Sequence, residues 1–264
     1  MDVSRASACS IPLREQSLDY ALQVIADSGF EKVDLLARMP HFSVTDPEYS
    51  VDDLENLCLR HAVRIANIGA YCGSAFASPD EAERVAAVKE MEQTLAVAKR
   101  LGARTIRVTP GSGKRQEMDQ LVPYFQQAAA IAEDSGIWMG IENHGTEISG
   151  DAATCREICE RVGSSHFGII YEPCNLLAAG VEYKAAFEEF KDHIVHVHFK
   201  DGLHDADGKW QHCMLGDGEI DVRWVFEQVE ALGYTGEYAL EYEVGDIEAV
   251  ETGYPQWLQY WKAL

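Results

Sequence analysis

Carboxylates and imidazoles close four successive apolar runs in the second half of the chain. They are Ile141-Glu142-Asn143-His144-Gly145, Tyr171-Glu172-Pro173-Cys174-Asn175, the stretch from His193 to Gly202, and Leu240-Glu241-Tyr242-Glu243. Should these ends meet, Glu142, Glu172, His198 and Glu241 form a set of three carboxylates and one imidazole. Carboxylates packed together raise the cost of ionising one another, and a divalent cation at their centre relieves it. Oxygen donors with a single imidazole suit a hard or borderline ion: Mn²⁺ first, Mg²⁺ or Co²⁺ next, Zn²⁺ less well. The plainer alternative is a scatter of surface acids in an acidic chain, with strand histidines as hydrogen-bonded core residues. Against it, Ile141, Ile170 and Leu240 place each acid where an apolar strand stops.

Whether the ends meet depends on the elements that carry them. Read as a strand, His193 to Gly202 alternates its side chains, so His196, His198 and Lys200 share one face while Val195, Val197 and Phe199 take the other. Strand-like runs recur at Ser4–Ser10, Val33–Leu36, Val63–Tyr71, Thr105–Thr109, Trp138–Glu142, Phe167–Tyr171, Ile194–Phe199 and Tyr238–Glu241. Helical spacing separates them: Leu18–Ser28, Val51–His61 behind Ser50, Pro79–Leu101 behind a Ser78 cap, Gln116–Ser135, Ala152–Val162 behind Asp151, Lys184–Lys191, Val222–Leu232 behind Asp221, and Gln256–Leu264. Eight strand and helix pairs demand a parallel sheet covered by helices. The expectation is a single (β/α)8 TIM barrel spanning residues 1–264, in which strand ends converge on one mouth. An open doubly wound sheet lacks its early Gly-x-Gly-x-x-Gly signature.

Composition narrows the partners. The chain has 22 basic against 44 acidic residues, a formal charge of −22 that repels phosphate backbones and anionic lipid, so neither nucleic acid nor membrane is expected. Seven cysteines without a Cys-x-x-Cys pair suit reduced packing thiols. With no long apolar run and no basic-then-apolar amino terminus, a cytoplasmic protein is expected. A homo-oligomer is compatible with the helical shell.

Further polar residues near strand ends are candidate contacts to a small molecule. His144 shares the face of Glu142, with a hydrogen bond to a ligand residue as its other reading; Arg107 alternates with Thr105 and Thr109, with a buried ion pair as its other reading. Lys200, Asn175 and Tyr71 complete the set, and Cys72, Trp210 and His212 are weaker pocket candidates. The turn Gly111-Ser112-Gly113-Lys114-Arg115 fails the phosphate-loop spacing and reads as a flexible solvated turn, which favours an unphosphorylated sugar or polyol-derived ketone.

The ordered set I-E-N-H-G, Y-E-P-C-N, H-V-H-F-K-D-G with L-G-D-G-E-I-D, and L-E-Y-E resembles the xylose isomerase-like barrels, a family of sugar isomerases and epimerases that also includes endonuclease IV-type enzymes. That resemblance implies Glu142, Glu172, His198 and Glu241 as metal ligands, and Glu142 with Glu241 as the acid/base pair. Two departures stand out. Glu172 occupies a position usually held by aspartate, and Asn175 one often held by histidine in the ketose epimerases; an amide still donates a hydrogen bond to a hydroxyl but transfers no proton.

The implied reaction is proton abstraction beside a carbonyl through an enediolate, with return of the proton giving epimerisation or isomerisation. Loss of hydroxide from the same enediolate gives a dehydratase or lyase. A nuclease of this fold needs more histidines on the early strands and a basic groove; the second strand offers Asp34 and the third ends at Tyr71-Cys72. A non-catalytic sugar-binding barrel need not keep four ligands.

Overall fold

A computed structural model describes residues 1–264. Eight parallel strands close into a barrel in chain order: β1 (Ala6–Cys9), β2 (Lys32–Leu36), β3 (Arg64–Gly69), β4 (Thr105–Val108), β5 (Trp138–Glu142), β6 (Phe167–Tyr171), β7 (Ile194–Phe199) and β10 (Tyr238–Leu240), which pairs back onto β1. Between β7 and β10 lies an antiparallel hairpin, β8 (Asp201–His204) and β9 (Trp210–Cys213). The helices between successive strands are α1 (Leu18–Asp27), α2 (Val51–His61), α3 (Glu81–Leu101), α4 (Met118–Ser135), α5 (Ala152–Val162), α6 (Pro173–Ala178), α7 (Tyr183–Phe190), α8 (Val222–Ala231) and, after the last strand, α9 (Val250–Ala263). No helix is long and apolar enough to cross a membrane.

Local chemistry accounts for the helix ends. Ser50 and Asp151 accept the backbone N–H groups of Asp53 and Thr154, and Asp221 that of Trp224, each satisfying a first-turn donor. α3 begins two residues later than expected because Asp80, not Ser78, accepts from Ala82 N; Ser78 bonds Glu83 and Asp80 N instead. α9 starts at Val250 rather than Gln256, running through Pro255 at the expense of one intrahelical bond. Its Tyr254 hydroxyl reaches Cys9 O on β1, and Trp261 lies 5.6 Å from the Phe199 ring and 5.2 Å from that of Tyr238. Each such buried aromatic contributes roughly 1.5–3 kcal/mol by leaving water, so α9 clamps the β7, β10 and β1 sector.

Outward strand residues such as Val197 and Phe199 are buried under the helices. The inward phase is polar: Asp34, Asn67, Arg107, His196 and His198 are all buried. Asp34 on β2 bonds both histidines on β7, whose neighbours are β6 and β10 rather than β2, so these contacts cross the barrel interior. The β2 to β3 register shifts at Val33/Asp34, an irregularity of the kind that re-aims a side chain.

Two elements were not expected from the sequence. α6 is one such element, capped by Glu172 through Cys174 N at 2.8 Å. The hairpin is the other. It is anchored by the buried Asp201, which accepts the N–H groups of Gly202, Gly216, Gly218 and Ile220. A Cβ on Gly218 would lie 2.2 Å from Asp201 Oδ1, so only glycine allows that approach.

Candidate active site

The floor of the mouth is built around Asp34. Asn67 Nδ2 donates to both its oxygens at 2.9 Å, and Oδ2 faces Nε2 of His196 at 3.0 Å and Nε2 of His198 at 2.9 Å. With Nε2 committed to the carboxylate, His198 turns Nδ1 toward the other acids: Glu142 Oε1 at 2.9 Å and Glu241 Oε2 at 3.9 Å. Burial disfavours the imidazolium of His198, but Asp34 and Glu142 outweigh it and hold its pKa well above the ordinary value. In His196 burial wins over Asp34, and the pKa is lowered.

Above the floor, the chain supplies part of its own charge compensation. Arg107 donates from Nη1 to Glu142 Oε2 at 2.7 Å and from Nε to Ala70 O at 3.1 Å, with its guanidinium 4.4 Å from the centre of the Tyr71 ring. Lys200 Nζ bridges Glu241 Oε2 and Glu243 Oε2, each at 2.8 Å. Burial raises the cost of ionising Glu142, yet Arg107 and His198 hold it well below the usual carboxylate range. Glu172 has no such partner: burial dominates and pushes it up to about 8. The repulsion expected among three carboxylates is therefore eased by Arg107, Lys200 and His198, and a cation is not its sole remedy.

What remains uncompensated is specific. Glu142 Oε1, Glu172 Oε2 and His198 Nδ1 are buried without a hydrogen-bond partner, as are Asn67 Oδ1, Arg107 Nη2 and His196 Nδ1; the 2.9 Å approach of Glu142 to His198 lacks hydrogen-bond alignment. Each unpaired buried polar atom costs on the order of 1–3 kcal/mol, a penalty that coordination to a cation removes for a carboxylate oxygen or an imidazole nitrogen. The buried clusters of acid, imidazole and thiol donors fit a divalent ion. Not all four expected ligands are gathered equally: Cys9, His198 and Glu241 bring ligand atoms within 4.8 Å of one another, as do Asp34, His196 and His198, while Glu142 and Glu172 join neither group.

A cavity of about 420 Å³ opens over this floor, and Glu142 and Glu241 line it. So do His144, Asn175, Lys200, Arg107 and Tyr71, brought together from β3 to β10 and the loops that follow them. Asn175 Nδ2 donates to Asn143 O at 2.9 Å, and Asn143 Oδ1 accepts from Glu172 N at 3.4 Å, so the I-E-N-H-G and Y-E-P-C-N segments are tied to each other. His212 also lines the cavity, whereas Trp210 and Cys72 do not. Trp210 packs against His204 in the hairpin, and Cys72 is buried with its Sγ 3.5 Å from Met91 Sδ. The Gly111–Arg115 turn is solvated at Ser112, Lys114 and Arg115, as expected, but tied down at Gly111–Gly113. Ser112 N bonds Glu117 at 2.9 Å, Gly113 O accepts from Ile148 N at 2.9 Å, and Gly111, Ser112 and Gly113 form part of the cavity rim.

Sequence reasoning missed Asp34, Asn67, Cys9 and Glu243 as members of the site. The available signal was a polar residue inside an otherwise apolar strand, as in Val33-Asp34-Leu35-Leu36 and Ile65-Ala66-Asn67-Ile68. Such a residue is buried on the barrel side and must find a partner there.

The family model described as "Xylose isomerase-like TIM barrel" matches residues 22–264. An uncharacterized protein of Methanocaldococcus jannaschii is 24% identical over 245 residues, covering 88% of this chain and 81% of its own length. A putative L-ribulose-5-phosphate 3-epimerase of Escherichia coli is 23% identical over 250 residues, covering 89% and 80%. Among solved structures, a xylose isomerase-like TIM barrel protein from Mycobacterium smegmatis in complex with magnesium superposes with a TM-score of 0.81 at 13% identity, covering 98% of this chain and 97% of that one.

Proposed function

We propose, from the premise that the chain belongs to the xylose isomerase-like TIM barrel family, that it is a divalent-metal-dependent isomerase or epimerase of an unphosphorylated ketose or keto-sugar. The observation that carries this reading is that Glu142 Oε1, Glu172 Oε2 and His198 Nδ1 are buried without hydrogen-bond partners, with Glu142 and Glu241 also lining the cavity. Glu142, Glu172, His198 and Glu241 would hold the ion, with Mn²⁺ the best match to three carboxylates and an imidazole. When bound, a cation there supplies Lewis-acid polarisation of a substrate carbonyl.

The residues of the chain do the rest. The Glu142 carboxylate, kept ionised and oriented by Arg107, takes the proton from the carbon beside the carbonyl. Glu241, carried just after β10 rather than at the end of β5, takes up a proton from solvent and passes it to the enediolate, while the proton held by Glu142 is released to solvent. His144, Asn175 and Tyr71 line the cavity where hydroxyls would lie. Lys200 is held by two glutamates and Arg107 by Glu142, which leaves Arg107 Nη2 as the one uncommitted donor among these two cations; that scarcity of free positive charge supports an unphosphorylated substrate.

The test is proton exchange in D₂O, followed by NMR across a panel of ketoses and keto-glycosides with Mn²⁺ present. Deuterium should enter at the carbon next to the carbonyl, and Glu142→Gln and Glu241→Gln should each slow it by about 10²–10⁴-fold. Absence of exchange from every ketose, or full exchange by both variants, overturns the reading; exchange confined to phosphorylated ketoses overturns the charge argument alone.

A further inference from the structure

We propose that Lys200 is a resident counter-ion that competes with the incoming divalent cation for Glu241 and withdraws to Glu243 when the cation enters. This rests on the metal reading above and adds a mechanism by which the site changes hands. Lys200 Nζ sits 2.8 Å from Glu241 Oε2 and 2.8 Å from Glu243 Oε2. The same Glu241 oxygen lies 3.9 Å from His198 Nδ1, so an ion seated between His198 and Glu241 claims an oxygen that the ammonium already holds. An ammonium and a divalent cation cannot share that oxygen at close range without strong repulsion.

The two acids offer Lys200 unequal seats. Glu241 is buried with its side chain 6% exposed, whereas that of Glu243 is 32% exposed at the cavity wall, with His212 Nδ1 4.0 Å from its Oε2. Lysine carries a point charge on a flexible stem and can swing between them. Arg107, the other buried cation of the mouth, is fixed by Ala70 O, Glu142 and the Tyr71 ring, so it has no comparable freedom. In the metal-free protein Lys200 neutralises Glu241; with the ion bound, Glu243 keeps the displaced ammonium paired at the cavity wall.

The experiment is a double-mutant cycle on Mn²⁺ affinity by titration calorimetry, with the wild type, Lys200→Met, Glu243→Gln and the double variant. Lys200→Met should tighten binding by on the order of tenfold, Glu243→Gln should weaken it, and the weakening should vanish when both are present. Simple addition of the two effects overturns the proposal, because charges acting only through space add. A crystal structure of the wild type with Mn²⁺ gives an answer independent of how the variants fold. The ammonium should be bonded to Glu243 and out of reach of Glu241; an ammonium still on Glu241 Oε2 overturns the exchange. Failure of wild type and Lys200→Met alike to bind Mn²⁺, Mg²⁺, Co²⁺ or Zn²⁺ sinks the metal reading together with this one, whereas bound metal with an additive cycle sinks this one only.

Discussion

The two ends of the barrel handle buried charge in opposite ways. At the end where the strands begin, Arg5 and Lys32 are each matched by one acid. Arg5 donates to Glu230 at 2.7 and 2.9 Å, to Gly236 O and to Tyr234 O, and Lys32 Nζ lies 2.8 Å from Glu237 Oε1. Aromatic rings complete the arrangement, with Arg5 over Tyr238 at 5.1 Å and Arg104 over Trp138 at 4.3 Å. At the mouth, Asp34, Glu142, Glu172, Glu241 and Glu243 face Arg107, Lys200 and His198, and Glu142 Oε1, Glu172 Oε2 and His198 Nδ1 lack hydrogen-bond partners. One-to-one pairing holds strands together; a surplus of buried acids creates a place for something else.

The comparison can be tested from both sides. The largest effect is expected from Asp34→Asn, which removes the carboxylate that fixes Nε2 of His198 and so loosens Nδ1. Mn²⁺ affinity should fall by about 10- to 100-fold, the usual consequence of losing a hydrogen-bond partner behind a metal-bound histidine. Calorimetric titration showing unchanged affinity would mean that the floor does not orient His198. At the opposite end, Arg5→Met should cost roughly 1–3 kcal/mol of stability in urea unfolding and leave Mn²⁺ affinity as it was. A matching loss of affinity there would erase the distinction between the two ends.

The smallest effect concerns a second histidine on the mouth side. His41 is buried with Nδ1 3.0 Å from Ser10 Oγ and Nε2 2.9 Å from Leu13 O, and it has no carboxylate partner. Burial outweighs the Leu13 carbonyl and lowers its pKa, the reverse of His198. A group with a folded pKa below its unfolded value contributes stability above the unfolded pKa and loses it as pH falls through the folded one. Acidification from pH 7 to 5 should therefore destabilise the wild type more than His41→Gln, by less than about 1 kcal/mol in urea midpoint analysis. A larger acid loss in the variant would show that His41 is not held neutral.

Much of the fold was legible because it follows from local periodicity. β5, β6 and β7 and helices α2 and α5 begin and end where alternation and capping place them, since a strand phase of two and a Ser or Asp cap are written in adjacent residues. α6 has no periodic signature, because Glu172 both ends the strand and caps the short helix that starts at Pro173. The hairpin escaped because Asp201 draws its bonds from Gly216, Gly218 and Ile220, residues distant along the chain.

By itself the sequence determined the alternation of strand and helix, the polar endings of four strands and the surplus of acid, because each is a property of neighbouring residues and their count. Only the tertiary structure decided which charges answer which. Closing the barrel set Asp34 of β2 opposite His196 and His198 of β7, gave Arg107 to Glu142, and put Lys200 between Glu241 and Glu243. Those pairings depend on distances across the interior, where low dielectric makes a few ångströms decisive, and no local spacing encodes them.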